Sequence, residues 1–180
     1  MYDSVLYYIE KIKNMVFDLN FSIPGNYYLA TVHRPQNTDY KEKIKSIFSA
    51  FSKLDYPVIL PLHPRTKKVV QKYKIETKNV KIIEPVGYLQ LMYLLSRANK
   101  VLTDSGGLQK EAYFLSKQCI TLRTETEWTE TLINNWNQIV GADEEKIINA
   151  VNSKITGKKG DYFGEGNTAN SILKILADHC

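Results

Sequence analysis

The residues best suited to hold a ligand lie in one run, Thr103-Asp104-Ser105-Gly106-Gly107-Leu108-Gln109-Lys110-Glu111. An apolar stub from Val101 to Thr103 ends in Asp104-Ser105, and two glycines then open a helical pattern. This reads as a buried parallel strand, a tight turn and a helix. Ser105 or Asp104 is placed to cap the helix, because a short side-chain oxygen there accepts an otherwise free amide of the first turn. Gly106 and Gly107 present backbone with no Cβ in the way of a ligand. The amides and dipole of such a helix start favour an anion. Glu111 stands four residues past Gly107, hence on the same face and about 6 Å further along the axis. An anion at the amides could continue as a polyol whose hydroxyls reach that carboxylate, and a phosphate followed by a ribose has this form. A bland reading stands beside it, an ordinary strand-to-helix connection with Glu111 a solvated helix residue, and a short glycine motif alone does not choose between them.

Other candidates sit where apolar runs end. His33-Arg34 follows Tyr27 to Val32, and such a pair suits a phosphate, with His33 also able to act as a general acid. His63 precedes Pro64, which holds its backbone extended, so it fits a shaped wall better than a catalytic role. Arg65 reads as a surface charge. Arg123 ends another apolar run and is as well suited to an ion pair with Glu125 or Glu127 as to a ligand. Tyr88 and Leu91 open a helix and read as core, and Trp128 belongs to a loop or a pocket rim. No metal constellation emerges: His33, His63 and His179 lack ligand spacing, and Cys119 lies in an apolar run as a buried thiol.

The elements that must position these residues alternate along the chain. A helix is expected over 2–18, with Val5, Leu6, Ile9, Ile12 and Val16 at helical spacing. Six strands follow, at 27–32, 58–62, 80–83, 100–103, 119–122 and 138–140. Helices are expected from a cap at Thr38 or Asp39 to about Leu54, and then over 64–73, 88–97, 107–116, 129–134, 143–155 and 167–178. Strands that are apolar throughout and alternate with helices imply a doubly wound, Rossmann-like parallel sheet covered on both faces. Ligands of such sheets bind outside the carboxyl ends of the strands, where the candidates above collect.

The 180 residues suit a single domain. The net charge of +5 is spread over lysines interleaved with glutamates, which reads as solvated helix faces rather than a nucleic-acid surface. Two cysteines make no disulfide framework, and no apolar run approaches membrane-spanning length. With no leader-like start, the expected setting is cytoplasmic.

Six ordered motifs then narrow the field: Thr31-Val32-His33-Arg34-Pro35-Gln36-Asn37, Pro61-Leu62-His63-Pro64, Glu84-Pro85-Val86-Gly87-Tyr88-Leu89, the run from Thr103 to Glu111, Arg123-Thr124-Glu125-Thr126-Glu127-Trp128, and Tyr162-Phe163-Gly164-Glu165-Gly166-Asn167. Together they resemble the carboxyl-terminal half of the non-hydrolysing UDP-N-acetylglucosamine 2-epimerases, from about Asn26 onward. The resemblance implies one of two Rossmann-like halves of a glycosyltransferase-B-like fold, with 1–20 as a linker helix and 26–180 as the core. It implies UDP binding, with Ser105, Gly106 and Gly107 at the diphosphate and Glu111 at the ribose. His33 is then the catalytic residue beside the diphosphate, and Val86 and Leu91 contact uracil. Arg34, His63, Arg123 and Trp128 complete the expected set, with no cofactor and no metal.

Three positions depart from the family pattern. Leu91 stands where an aromatic ring is common, Trp128 where some members have arginine, and Gln36 where glutamate is common. The family interconverts UDP-GlcNAc and UDP-ManNAc by removing the C2 proton, expelling UDP and adding it back. The C2 base belongs to an amino-terminal domain that the resemblance implies is missing, so the 180 residues read as an excised domain, inactive alone. A homodimer is implied only for the full-length protein. The rival readings are half of a UDP-sugar glycosyltransferase and a non-catalytic UDP-sugar-binding module.

Overall fold

The computed structural model describes residues 1–15, 17 and 19–178. Val16, placed on the first helix by its spacing, and His179 and Cys180 lie outside the described residues. Six strands form one parallel sheet: β1 (Tyr28–Thr31), β2 (Val58–Pro61), β3 (Val80–Ile83), β4 (Lys100–Thr103), β5 (Gln118–Thr121) and β6 (Asn137–Ile139). Their spatial order is β3-β2-β1-β4-β5-β6, with every neighbouring pair parallel. The order reverses between β1 and β4. Chains leaving those two strands turn to opposite faces, which opens a crevice between them.

Both faces of the sheet are buried along β1, β2, β4 and β5, with β3 at the edge partly exposed, which is why those inner strands carry no polar alternation. Tyr28, Ala30 and Leu102 face a core closed by α3 (Lys41–Ser52), α4 (Pro64–Lys72) and α7 (Glu144–Asn152). Leu29, Val101 and Cys119 face a second core under α1 (Tyr2–Ile12), α5 (Tyr88–Arg97) and α6 (Gly106–Phe114). The helix expected over 2–18 ends at Ile12, and it is more than a linker, since Val5 and Ile12 are buried in that second core. Tyr2 stacks on Phe114 with ring centroids 4.6 Å apart.

Two further boundaries differ from the sequence reading. The polar loop after β1 contains a short helix, α2 (Pro35–Thr38), started by Pro35 at a position that needs no amide. The next helix begins after Tyr40 and has no side-chain cap. Thr38 instead bonds the Arg34 carbonyl, and Asp39 pairs with Arg65 at 2.7 Å. A cap contributes about 1 kcal/mol, whereas burial contributes about 1.5–3 kcal/mol for each large side chain. Ile44, Ile47, Phe48 and Phe51 therefore hold α3 without one. At α7 the expected cap is present, as the Asp143 carboxylate accepts the Lys146 amide at 3.0 Å. That helix stops at Asn152, three residues short of the expected end.

Cys119 is the buried thiol its apolar run suggests, and burial pushes its pKa up to about 12. With Cys180 replaced by serine, a thiol reagent at neutral pH is expected to label Cys119 only as fast as the chain unfolds. Rapid labelling of the native chain would contradict this packing. Among the described residues, no helix is long and apolar enough to cross a membrane.

Candidate functional site

The carboxyl ends of β1 and β4 meet around a carboxylate the sequence reading weighed only as a helix cap. Asp104 is wholly buried. Its oxygens accept the amides of His33 (3.0 and 3.2 Å) and Arg34 (2.9 Å) and the Asn37 side-chain amide (3.0 Å). His33 Nδ1 lies 3.2 Å from the same group. A proton on Nδ1 points at the carboxylate, which leaves Nε2 as the nitrogen available to a ligand. Asn37 also donates to the Leu122 carbonyl at 2.9 Å, so this loop is tied to β5 as well as β4. The signal in the sequence was an acid between Thr103 and Ser105 at the end of a buried strand, a place where a carboxylate must find several donors.

The helix cap itself is Ser105, whose hydroxyl accepts the Leu108 amide at 3.4 Å. The Gln109 amide takes the Ser105 carbonyl. Among the described residues, no acceptor faces the amides of Gly106 and Gly107, so two donors remain at the positive end of α6.

A cavity of about 360 Å³ lies in the crevice. Ser105, Gly107 and Glu111 form its α6 side, His33 and His63 stand at the ends of β1 and β2, and Pro85, Val86, Tyr88 and Leu91 form an apolar wall. The His33 and His63 rings are 6.1 Å apart. His63 Nδ1 accepts the Arg65 amide at 3.2 Å, capping α4, so its neutral ring carries the proton on Nε2. Tyr88 lines this cavity rather than the core. Leu91, core by its helix position and a uracil contact by the resemblance, lines the cavity and packs against the second core, which Met92, Leu94 and Leu95 of the same helix fill. Tyr88 also meets Tyr8 of α1 edge to face at 5.4 Å.

Glu111 is 8% exposed and sits at the base of the cavity. Burial raises its pKa, and a hydrogen bond from the Tyr88 hydroxyl works against that rise. The Tyr88 hydroxyl is itself pushed up, by burial first and by the Glu111 charge second. A nearly buried carboxylate that, among the described residues, has Tyr88 as its side-chain donor suits a ligand that brings further hydroxyls.

Gly106, Arg34, Arg123 and Trp128 lie outside this cavity. Arg123 takes the ion-pair alternative, with bonds of 2.8 and 3.0 Å to the Glu127 carboxylate. That pairing holds Glu127 down at about 2. Trp128 Nε1 donates to the Gly106 carbonyl at 2.9 Å, and Lys110 Nζ lies 4.0 Å over the Trp128 ring. The loop is fastened beneath by a buried polar network unread in the sequence. There the Gln109 side-chain oxygen accepts Thr126 Oγ1 (2.6 Å) and the Asn137 amide (3.2 Å). Arg34, Asn37 and Arg123 border a second cavity of about 150 Å³. Arg65, paired with Asp39, is a surface charge as read.

The family model described as UDP-N-acetylglucosamine 2-epimerase matches residues 1–177. A UDP-N-acetylglucosamine 2-epimerase homolog of Methanococcus maripaludis is 46% identical, covering 98% of this chain and 52% of the relative. A UDP-2,3-diacetamido-2,3-dideoxy-D-glucuronate 2-epimerase of Pseudomonas aeruginosa is 37% identical, covering 98% and 51%. The crystal structure of Methanocaldococcus jannaschii UDP-GlcNAc 2-epimerase in complex with UDP-GlcNAc and UDP superposes with a TM-score of 0.81 at 37% identity, over 98% of this chain and 52% of that one. The chain thus spans about half the length of the relatives it matches. With a parallel sheet reversing between β1 and β4, a crevice at that reversal and a family model matched over nearly every residue, the chain belongs to the UDP-N-acetylglucosamine 2-epimerase family.

Proposed function

We propose that this chain is the UDP-binding half of a UDP-N-acetylglucosamine 2-epimerase. The observation that carries the reading is the cavity with the Gly107 amide at one side and the Gly106 amide just beyond it, a nearly buried carboxylate at its base and an apolar wall opposite. In this reading the Gly106 and Gly107 amides bind the diphosphate, and Glu111 accepts the ribose hydroxyls. Val86 and Leu91 flank the uracil, which Leu91 packs without ring stacking. Arg34, Arg123 and Trp128 serve the phosphate end from beyond Gly106. His63 offers its Nε2 proton at the cavity wall.

The reaction is an elimination followed by its reverse. A base takes the C2 proton, the C1–O bond breaks with its electron pair leaving on UDP, and a C1=C2 double bond forms. UDP then returns to C1 as a proton reaches the opposite face of C2, interconverting UDP-GlcNAc and UDP-ManNAc. In its imidazolium form, with the Nδ1 proton directed at Asp104, His33 donates the second proton from Nε2 to the departing diphosphate oxygen. The C2 base comes from a preceding domain that completes the cleft, so the 180 residues bind UDP without epimerising. The Pseudomonas aeruginosa relative favours a second reading in which the same UDP end serves an acetamido-modified uronate.

Gly107→Val provides the test. A Cβ there would meet Met1 Cε at 3.8 Å and Ser105 Oγ at 3.9 Å, ordinary contacts that leave the fold intact. The added methyls enter the cavity at the anion position. Calorimetry is expected to show UDP binding by the unaltered chain and at least about a tenfold loss in the variant, with thermal unfolding nearly unchanged. Equal UDP binding by both, or none by either at about 1 mM ligand, would overturn the reading.

A further inference from the structure

We propose that Glu127 is a built-in stand-in for the ligand's phosphate, an anion parked on Arg123 at the start of α6 that the incoming diphosphate must replace. This rests on the nucleotide reading above and adds an affinity-setting residue to it. Gly106 has no Cβ, and the point a Cβ would occupy is closely surrounded. Glu127 Oε2 is 3.5 Å away, Trp128 Nε1 3.6 Å and Arg123 Nη1 3.7 Å. The open side of the first glycine is thus already filled, and filled by a carboxylate at the positive end of a helix.

The three neighbours are not equally free to move. The Arg123 side chain is 12% exposed, whereas that of Glu127 is 54% exposed. Trp128 is pinned by its bond to the Gly106 carbonyl and by the Lys110 ammonium over its ring. Glu127 is therefore the group that can swing to solvent while Arg123 stays. Only the Glu127 end of the pair is exposed, so the carboxylate can leave for solvent and yield Arg123 to a diphosphate, which brings more charge and more acceptors. The phosphate then gains Arg123 together with the free Gly106 and Gly107 amides; of that set the Glu127 carboxylate bonds Arg123 and leaves the two amides unused. Glu127 stays ionised across the working pH range, so one anion is exchanged for another and no proton is involved. Arg34, whose charge also acts on Glu127, remains beside the arriving phosphate.

UDP and uridine are titrated by calorimetry into the unaltered chain, Glu127→Gln, Arg123→Gln and the double variant. Glu127→Gln is expected to bind UDP about three- to fivefold more tightly, because its competitor for Arg123 has lost its charge. Uridine, which has no phosphate, is expected to bind both equally, and the gain is expected to vanish in the Arg123→Gln background. A Glu127 that merely fastens the loop predicts the reverse: weaker or unchanged UDP binding, a shift in Trp128 fluorescence, and equal effects on uridine. Any of these results overturns the exchange. UDP binding by the unaltered chain with no gain in Glu127→Gln sinks the exchange alone. Absence of UDP binding in every variant sinks the nucleotide reading and the exchange with it.

Discussion

Asp104→Asn is expected to destabilise the chain by about 2–4 kcal/mol, read as a lowered urea midpoint at unchanged slope. The two side chains have the same shape, so packing is not the cause. The wholly buried carboxylate accepts two backbone amides and the Asn37 side chain, and has His33 Nδ1 within 3.2 Å. An amide at that point offers one oxygen and turns an NH2 toward donors. At least one buried donor is then left without an acceptor, at about 1–3 kcal/mol each. Relief of the carboxylate's desolvation opposes this, but every lone-pair direction is already used, and lost acceptors outweigh it. His33 would also lose its orientation, so a full-length protein should lose turnover as well as stability. A midpoint within experimental error of the unaltered chain would show that Asp104 does not organise the loop after β1.

Glu111→Gln is expected to act in the opposite sense on stability and far more on binding. UDP affinity should fall by about ten- to a hundredfold, the loss of roughly two charge-assisted hydrogen bonds from ribose hydroxyls. The fold should be as stable or more so at neutral pH. Burial raises the Glu111 pKa above its ordinary 4.5, so the folded chain binds the proton more tightly than the unfolded one. Stability contributed by this group is present below about the unfolded value and is lost as pH rises through the folded one. Glutamine removes that penalty. UDP binding by the unaltered chain should correspondingly weaken as pH falls through the folded pKa, and the variant should not follow. Unfolding curves against pH and calorimetry at two pH values test both halves. Equal UDP affinity in the two proteins would place the ribose elsewhere.

These two acids differ in how far the sequence exposed them. Glu111 was legible because helical geometry is local: four residues past a glycine means the same face, whatever surrounds the helix. Asp104 was legible only as a possible cap, since its partners come from His33, Arg34 and Asn37, about seventy positions away. The alternation of apolar strands and amphipathic helices determined the doubly wound sheet, because strands buried on both faces have no polar side to show. Ser105 as cap and Cys119 as buried thiol followed from equally local rules. The missing cap before α3 could not be anticipated, because burial of Phe48 and its neighbours stabilises that helix from outside its own sequence.

The sequence by itself determined the alternation of strands and helices, the family motifs and the position of the glycine turn capped by Ser105, all set by neighbours within about one helical turn. Tertiary structure decided the rest. It brought Tyr88 to the cavity rather than the core and gave Arg123 to Glu127. It also set Glu127 beside Gly106 and collected four donors around Asp104. The reason is physical: a long polar side chain takes the best partner within reach, and what is within reach depends on which strands the sheet sets side by side.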